Sequence, residues 1–165
     1  MIRLFLYVLA ALVLAADQAT KQWVLRVYPY WGGGQDIIPG FFTLTYVHNT
    51  GGAFGILPGG TLWLALAAAV ASVAIVVYTI RVKKPLSLGL AIALGLPLGG
   101  AIGNLLDRVR LHFVVDFLYL HAGTHQFPVF NVADSAICVG VALLAVRFWR
   151  QPDPAAPPAA VPTEN

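Results

Sequence analysis

The sequence predicts an all-α membrane protein, with four transmembrane helices carrying a small β element on one side of the bilayer. Three observations lead there. Of 165 residues, 59% are hydrophobic and only 10% charged, less than half the roughly 25% charge of an ordinary soluble domain. Four apolar segments match, or nearly match, the about 20 helical residues needed to cross a hydrocarbon core. The stretch between the first two is broken by Gly32-Gly33-Gly34, Pro39-Gly40 and Pro58-Gly59-Gly60, which are turn signals rather than helix.

The first segment covers about residues 4–25. It is apolar from Leu4 to Ala16, passes through Asp17 and Lys21, and is apolar again at Trp23-Val24-Leu25. A signal peptide is the alternative, because Met1-Ile2-Arg3 makes a short basic lead. Leu14-Ala15-Ala16 lacks a small-x-small cleavage pattern and the apolar character resumes downstream, so a retained helix is the preferred reading. Residues 26–60 form a β-rich outer loop. Within it, Phe41-Phe42-Thr43-Leu44-Thr45-Tyr46-Val47 reads as a strand bounded by turns, with aromatics suited to the headgroup layer.

The second helix, at about 62–80, has nineteen residues without a charge, and the third, at about 86–106, has twenty-one. In the third, Gly95, Gly99 and Gly103 make one small-residue stripe for close helix packing, and Pro97 is a candidate kink. The fourth, at about 132–149, is free of charge from Ser135 to Val146. Residues 1–150 are read as one membrane domain. Residues 151–165, with five prolines, are read as a disordered cytoplasmic tail.

Orientation follows from the basic residues. With the N-terminus inside, Arg3, Arg81, Lys83, Lys84, Arg147 and Arg150 lie inside, and Lys21, Arg26, Arg108 and Arg110 outside. The dense run in residues 81–85 and the longer outer loops place both termini in the cytoplasm. The net charge of +3 comes from scattered residues and forms no nucleic-acid patch. The one cysteine, Cys138, excludes an intrachain disulfide and a multi-cysteine metal site.

With so few acids, carboxylate chemistry has few places to occur. There are seven acids, of which Asp36 is in the Gly-rich loop and Asp153 and Glu164 are in the tail. The other four, Asp17, Asp107, Asp116 and Asp134, fall at or near the outer ends of apolar segments. Ionisable groups at bilayer depth are costly and point to function. Structural roles compete with that reading. Asp17 can pair with Lys21 one turn on, Asp107 can join a helix-end polar network with Asn104 and Arg108, and Asp134 follows Asn131 by three residues, as in a helix cap. Asp116, within Val114-Val115-Asp116-Phe117-Leu118, has no adjacent base to explain it. Together Asp116 and Asp134 suggest a proton-sharing pair of the aspartic-protease type. Asp134, in a helix first turn, is the more acidic partner on this reading.

Other hydrolase designs fail. An HExxH site is impossible with one tail Glu, His48, His112, His121 and His125 lack metal-ligand spacing, and no serine sits in GxSxG. No metal or cofactor is expected.

These motifs resemble bacterial lipoprotein signal peptidase (signal peptidase II). Five blocks carry the resemblance: Asp17-Gln18-Ala19-Thr20-Lys21, His48-Asn49-Thr50-Gly51-Gly52-Ala53-Phe54-Gly55, Gly99 through Arg108, Val114-Val115-Asp116-Phe117, and Phe130-Asn131-Val132-Ala133-Asp134-Ser135. The resemblance implies an inner-membrane aspartic endopeptidase that cuts prolipoprotein signal peptides before a diacylglyceryl-modified cysteine. It implies Asp116 and Asp134 as the catalytic pair, near the outer membrane surface. Asn49, Gly51, Ala53, Phe54, Asn104, Arg108 and Asn131 would bind substrate or orient the site, with Asp17, Lys21 and Asp107 as structural support. It also implies a fold with an extracytoplasmic β-cradle and short outer-face helix, membrane lipid as a partner, and inhibition by globomycin-like peptides. Gly52 departs from the alanine that many members carry, which leaves that loop with more backbone freedom.

Two other classes remain open on the residues alone. A proton- or ion-coupled transporter would place its acids near the bilayer midplane, whereas here they cluster at one face. A non-catalytic assembly protein would tolerate Asp116→Asn.

Overall fold

The computed structural model describes residues 1–28, 30, 33–52 and 56–150. Four long helices run α1 (Ile2–Val27), α2 (Thr61–Arg81), α3 (Leu88–Leu111) and α4 (Val132–Trp149). All four are long and apolar enough to cross a membrane. Four strands, β1 (Gln35–Ile38), β2 (Phe42–Asn49), β3 (Val114–Ala122) and β4 (His125–Gln126), form one antiparallel sheet in chain order.

Helix α3 is the centre of the bundle and packs on each of the other three. Its glycines explain why. A methyl group added at Gly95 would stand 2.9 Å from the Leu6 carbonyl oxygen, and one at Gly99 2.5 Å from that of Ala10. The predicted stripe therefore packs within the chain, against α1. On another face of α3, a methyl at Gly100 would stand 2.5 Å from the Ala133 carbonyl oxygen of α4. Without side chains at these points the backbones approach closely, which is how helices gain packing energy in lipid. Pro97 lies inside α3 with its ring against Gly140 of α4.

The inward residues of α1, Leu6, Ala10, Asp17, Lys21 and Val24, recur at steps of three, four and seven residues, one helical stripe. Leu6 and Ala10 join Leu86, Ala91, Leu94 and Leu98 in an apolar core. Tyr7 and Thr79 share a 2.6 Å hydrogen bond that ties α1 to α2. Most of α2 is apolar and exposed, including Leu62, Trp63, Val70 and Ile80. In a bilayer such a surface meets acyl chains rather than water.

Helix α4 has the bounds expected from the sequence. Helix α3 is displaced from the expected 86–106, starting at Leu88 and running on to Leu111 through Asp107 and Arg108. Asp107 pairs with buried Lys21 and Arg108 donates to the Asn104 and Gly51 carbonyls, so neither ends the helix; His112, in the left-handed conformation with φ 65°, does. The expected strand over 41–47 is β2, shifted by one residue at its start and two at its end. The sheet is larger than the sequence suggested, because β1, β3 and β4 surround it. The described residues contain no short outer-face helix. Ala53 and Phe54, and the tail at 151–165, lie outside the described residues.

β2 and β3 rest on the C-terminal ends of α1 and α3. Tyr46, Val115 and Phe117 pack with Val24 of α1. The register pairs Val47 with Asp116, His48 with Val115 and Asn49 with Val114. Because side chains alternate along a strand, Val115 and Phe117 take the apolar face. Asp116 projects from the other face, beside Asn49.

Candidate functional site

The four singled-out aspartates meet in one largely buried polar network at the sheet end of the bundle, reached from α1, α3, α4, β2 and β3. Lys21 is its hub. The ammonium, only 1% exposed, lies 2.9 Å from Asp17 Oδ2 and 2.9 Å from Asp107 Oδ2, and donates at 2.9 Å to Asn104 Oδ1. Asp17 and Asp107 also tie backbone in place. Asp17 Oδ1 accepts from the Ala133 N–H at 3.0 Å, which holds the start of α4. Asp107 Oδ2 accepts from the Val115 N–H at 3.2 Å, which holds β3 one residue before Asp116. Asp17, Lys21 and Asp107, expected from the resemblance as structural support, all lie in this network. Gln18, given no role from sequence, bridges Asp17, the Gly103 carbonyl and Asp107 at 3.1–3.3 Å.

Three asparagines hold Asp116 and Asp134, with Asn104 and Asn131 linking the pair to this hub, and each amide has its orientation fixed by a group that can only donate. Lys21 has no acceptor, so Asn104 turns its oxygen to Lys21 and its nitrogen to Asp134 Oδ1, at 2.7 Å. The Gly51 N–H donates to Asn49 Oδ1 at 2.9 Å, so Asn49 Nδ2 faces Asp116 Oδ2, at 2.9 Å. The Asp134 N–H donates to Asn131 Oδ1 at 2.8 Å, so Asn131 Nδ2 faces Asp116 Oδ1, at 2.7 Å. Asn131 also caps α4, and its own N–H donates to Asp134 Oδ2 at 3.2 Å, which completes the anticipated capping box. One fully buried asparagine therefore bridges the two carboxylates.

Every oxygen of Asp116 and Asp134 accepts one hydrogen bond. A carboxylate has about four lone-pair directions, so each oxygen keeps one for a proton or a water. Asp116 is 1% exposed. Burial, followed by the negative charge of Asp134, pushes its pKa up from 3.8 to about 7, against the lowering effect of Asn49 and Asn131.

Two cavities flank the pair. One of about 450 Å³ is lined by Asn104, Arg108 and Asp134, with apolar walls from Leu120, Phe127 and Ile137. The other, of about 260 Å³, is lined by Asp116 with Val47, Thr50 and Pro58. Asn49, Gly52, Pro128 and Val129 border both. Arg108 donates from one terminal nitrogen to the Gly51 carbonyl at 3.2 Å. Its Nε is buried without a hydrogen-bond partner among the described residues. Two of the histidines are engaged elsewhere: His48 stacks between Tyr30 and Phe113 and bonds Tyr46 Oη at 2.6 Å, and His121 meets Thr43.

Membrane-crossing helices around paired carboxylates at the wall of an apolar cavity define a class, the multi-pass membrane hydrolases. The comparisons with known proteins specify which. A family model for signal peptidase (SPase) II matches residues 9–150. The lipoprotein signal peptidase of Oleidesulfovibrio alaskensis is 44% identical over 148 residues, covering 87% of this chain and 94% of that protein. That of Geobacillus kaustophilus is 46% identical over 143 residues, covering 87% and 92%. Two solved structures of a bacterial membrane enzyme, at 2.3 and 1.9 Å, superpose with TM-scores of 0.81 and 0.78 at 31% and 30% identity. The first covers 88% of both chains, and the second covers 90% of this chain and 94% of the other. The chain belongs to the signal peptidase II family, membrane proteases that remove signal peptides from prolipoproteins.

Proposed function

We propose that this protein is an aspartic endopeptidase of the inner membrane that cuts on the N-terminal side of a diacylglyceryl-modified cysteine, with Asp116 and Asp134 as its catalytic pair. The observation that carries the reading is the Asn131 bridge, which holds buried Asp116 and half-buried Asp134, from different elements, in one hydrogen-bonded unit. Such a pair shares a proton. Asp116, whose pKa is raised to about 7 by burial, is the neutral acid. Asp134, in the first turn of α4, is favoured as the anion by the positive end of the helix.

The steps follow from those two states. Asp134 accepts a proton from water, and the hydroxyl oxygen bonds to the scissile carbonyl carbon. Asp116 gives its proton to the carbonyl oxygen, which makes a gem-diol. Asp134 then passes its proton to the amide nitrogen, the C–N bond breaks, and a gem-diol proton returns to Asp116. The products are an acid and an amine, and the pair is restored. Asn49, Asn104 and Asn131 orient the carboxylates. The unpaired Arg108 Nε is placed to meet a substrate carbonyl, with Gly51 beside it. The family resemblance also assigns Ala53 and Phe54, which lie outside the described residues, to substrate binding. The apolar cavity next to Asp134 suits the lipid-bearing side of the substrate.

Both termini are read as cytoplasmic and the site as facing the periplasm, where substrate lipid and signal helix meet at one interface. Globomycin-like peptides would compete for the same cavities.

The test is purified protein incubated with a prolipoprotein bearing the diacylglyceryl group and with its unlipidated twin. Cleavage of the lipidated form alone, with a new N-terminus at the modified cysteine and a rate unchanged by a metal chelator, is the expected result. Equal cleavage of both forms, or loss of activity restored by zinc, would overturn the reading.

A further inference from the structure

At the opposite end of the bundle from the carboxylates, a cavity of about 370 Å³ is lined by Gly89 of α3 and by Leu143, Val146, Arg147 and Arg150 at the end of α4. Arg147 belongs to the last turn of α4 and is half-buried. It donates at 3.3 Å to Oγ of Ser87, the N-cap of α3. Its guanidinium is thereby held at the cleft, with further N–H groups to offer. Gly89 leaves the α3 backbone bare there, since a methyl group added at it would meet nothing within 4 Å. Leu143 and Val146 are exposed apolar residues on a membrane-crossing helix.

The charges at this end lack counter-ions among the described residues. Arg3, Arg81, Lys83 and Lys84 share it with Arg147 and Arg150, whereas the described carboxylates, Asp17, Asp36, Asp107, Asp116 and Asp134, belong to the sheet end. Orientation preferences account for basic residues in a loop such as 81–84. They also favour Arg147 and Arg150 at this end, but do not require the half-buried Arg147 to bond a neighbouring helix cap and line a cleft with a second arginine.

We propose that this cleft binds an anionic phospholipid, its phosphodiester on Arg147 and Arg150 and its chains along Leu143 and Val146. Guanidinium groups match phosphate oxygens in geometry and charge, and basic pockets between transmembrane helices are suited to such head groups. The apolar wall distinguishes a lipid from free phosphate. The inference rests on the helices crossing a bilayer, not on the peptidase reading, and uses no residue of the carboxylate site.

The test is lipid binding to the purified full chain in a neutral detergent, read by native mass spectrometry and by thermal shift. The probes are phosphatidylglycerol, phosphatidylcholine with the same chains, and inorganic phosphate. Saturable binding of phosphatidylglycerol at least about tenfold tighter than of either other probe is expected. Arg147→Gln with Arg150→Gln should weaken it about tenfold or more, Arg150→Gln alone by less, and Lys83→Gln with Lys84→Gln by under about threefold. Arg150 is an exposed residue at the helix end, so its single variant keeps the test valid if the double variant folds poorly. Equal binding of the two lipids would overturn the proposal. So would phosphate binding as tightly as phosphatidylglycerol, an unchanged affinity in both arginine variants, or an equal loss in the lysine pair, which would mean a diffuse field.

Discussion

Replacing Lys21 with methionine removes the hub of the buried network while keeping the length of the side chain. The ammonium neutralises two carboxylates, Asp17 and Asp107, at 2.9 Å each, in a place where Lys21 and Asp17 are 1% and 0% exposed. Removing one partner of a buried ion pair typically costs about 3–5 kcal/mol, because the charge left behind has neither water nor counter-ion. The hub has two carboxylates to one ammonium, so the upper part of that range is expected. Reversible unfolding of Lys21→Met in detergent should show this loss. Adding Asp17→Asn to Lys21→Met should restore about 0.5–3 kcal/mol, the range of coupling between groups in contact. Cleavage should also fall by about tenfold or more. Without Lys21, Asn104 Oδ1 keeps only the 3.2 Å bond from Asn131 Nδ2, so the amide that donates to Asp134 at 2.7 Å is held less firmly, and small displacements of reacting groups carry large rate costs. A loss under about 1 kcal/mol, or strictly additive effects of the two substitutions, would refute the assignment of Lys21 as a charge-neutralising hub.

Two further predictions concern the site. Asp116 must keep its proton to act as the acid, so activity should decline as pH rises through about 7; Asn49→Ala removes a donor that favours the ionised form and should move that limb to higher pH in a pH–rate profile, whereas an unmoved limb would dissociate it from Asp116. The stability sign agrees: with its folded pKa raised above 3.8, Asp116 contributes most below that value and loses the contribution as pH rises to about 7, which unfolding midpoints measured across that window would show. In the loop beside Asn49, a methyl added at Gly52 would stand 3.4 Å from the Ile56 carbonyl oxygen, an ordinary contact, while one at Gly51 would stand 2.9 Å from it. Gly52→Ala should therefore keep activity and gain up to about 1 kcal/mol of stability from a less flexible unfolded chain, and Gly51→Ala should lower activity by disturbing the carbonyl that Arg108 holds; the reverse order in thermal shift and turnover would contradict this.

Much of the architecture was legible because membrane helices depend on local composition. Residues 132–149 gave α4 directly, and the three-residue spacing of Asn131 and Asp134 gave its cap. The Asp17–Lys21 pair followed from one helical turn. The residues that fix the site were less legible because their partners are distant in the chain. Lys21 reaches Asn104 across 83 positions, and no local pattern announces it. Asp116 stands out in the sequence as an acid in an apolar run, but β3 does not. Val114 through Phe117 are all buried, so the run lacks the polar alternation that marks a half-exposed strand. Gln18 lies next to an aspartate already explained by Lys21, and its second carboxylate partner, Asp107, is visible only in three dimensions. The end of α3 was set short because Asp107 and Arg108 look like a helix terminus until their buried partners are known.

The central claim is that Asp116 and Asp134 act as one proton-sharing unit on the peptide bond. It is tested most directly by single-turnover cleavage of a lipidated prolipoprotein by Asp116→Asn and by Asp134→Asn, each first shown to unfold cooperatively in detergent. The account predicts that both variants fold and that each loses at least about a thousandfold in rate, within the range for removing a positioned acid or base. Cleavage within about tenfold of the unsubstituted protein by either folded variant would contradict it.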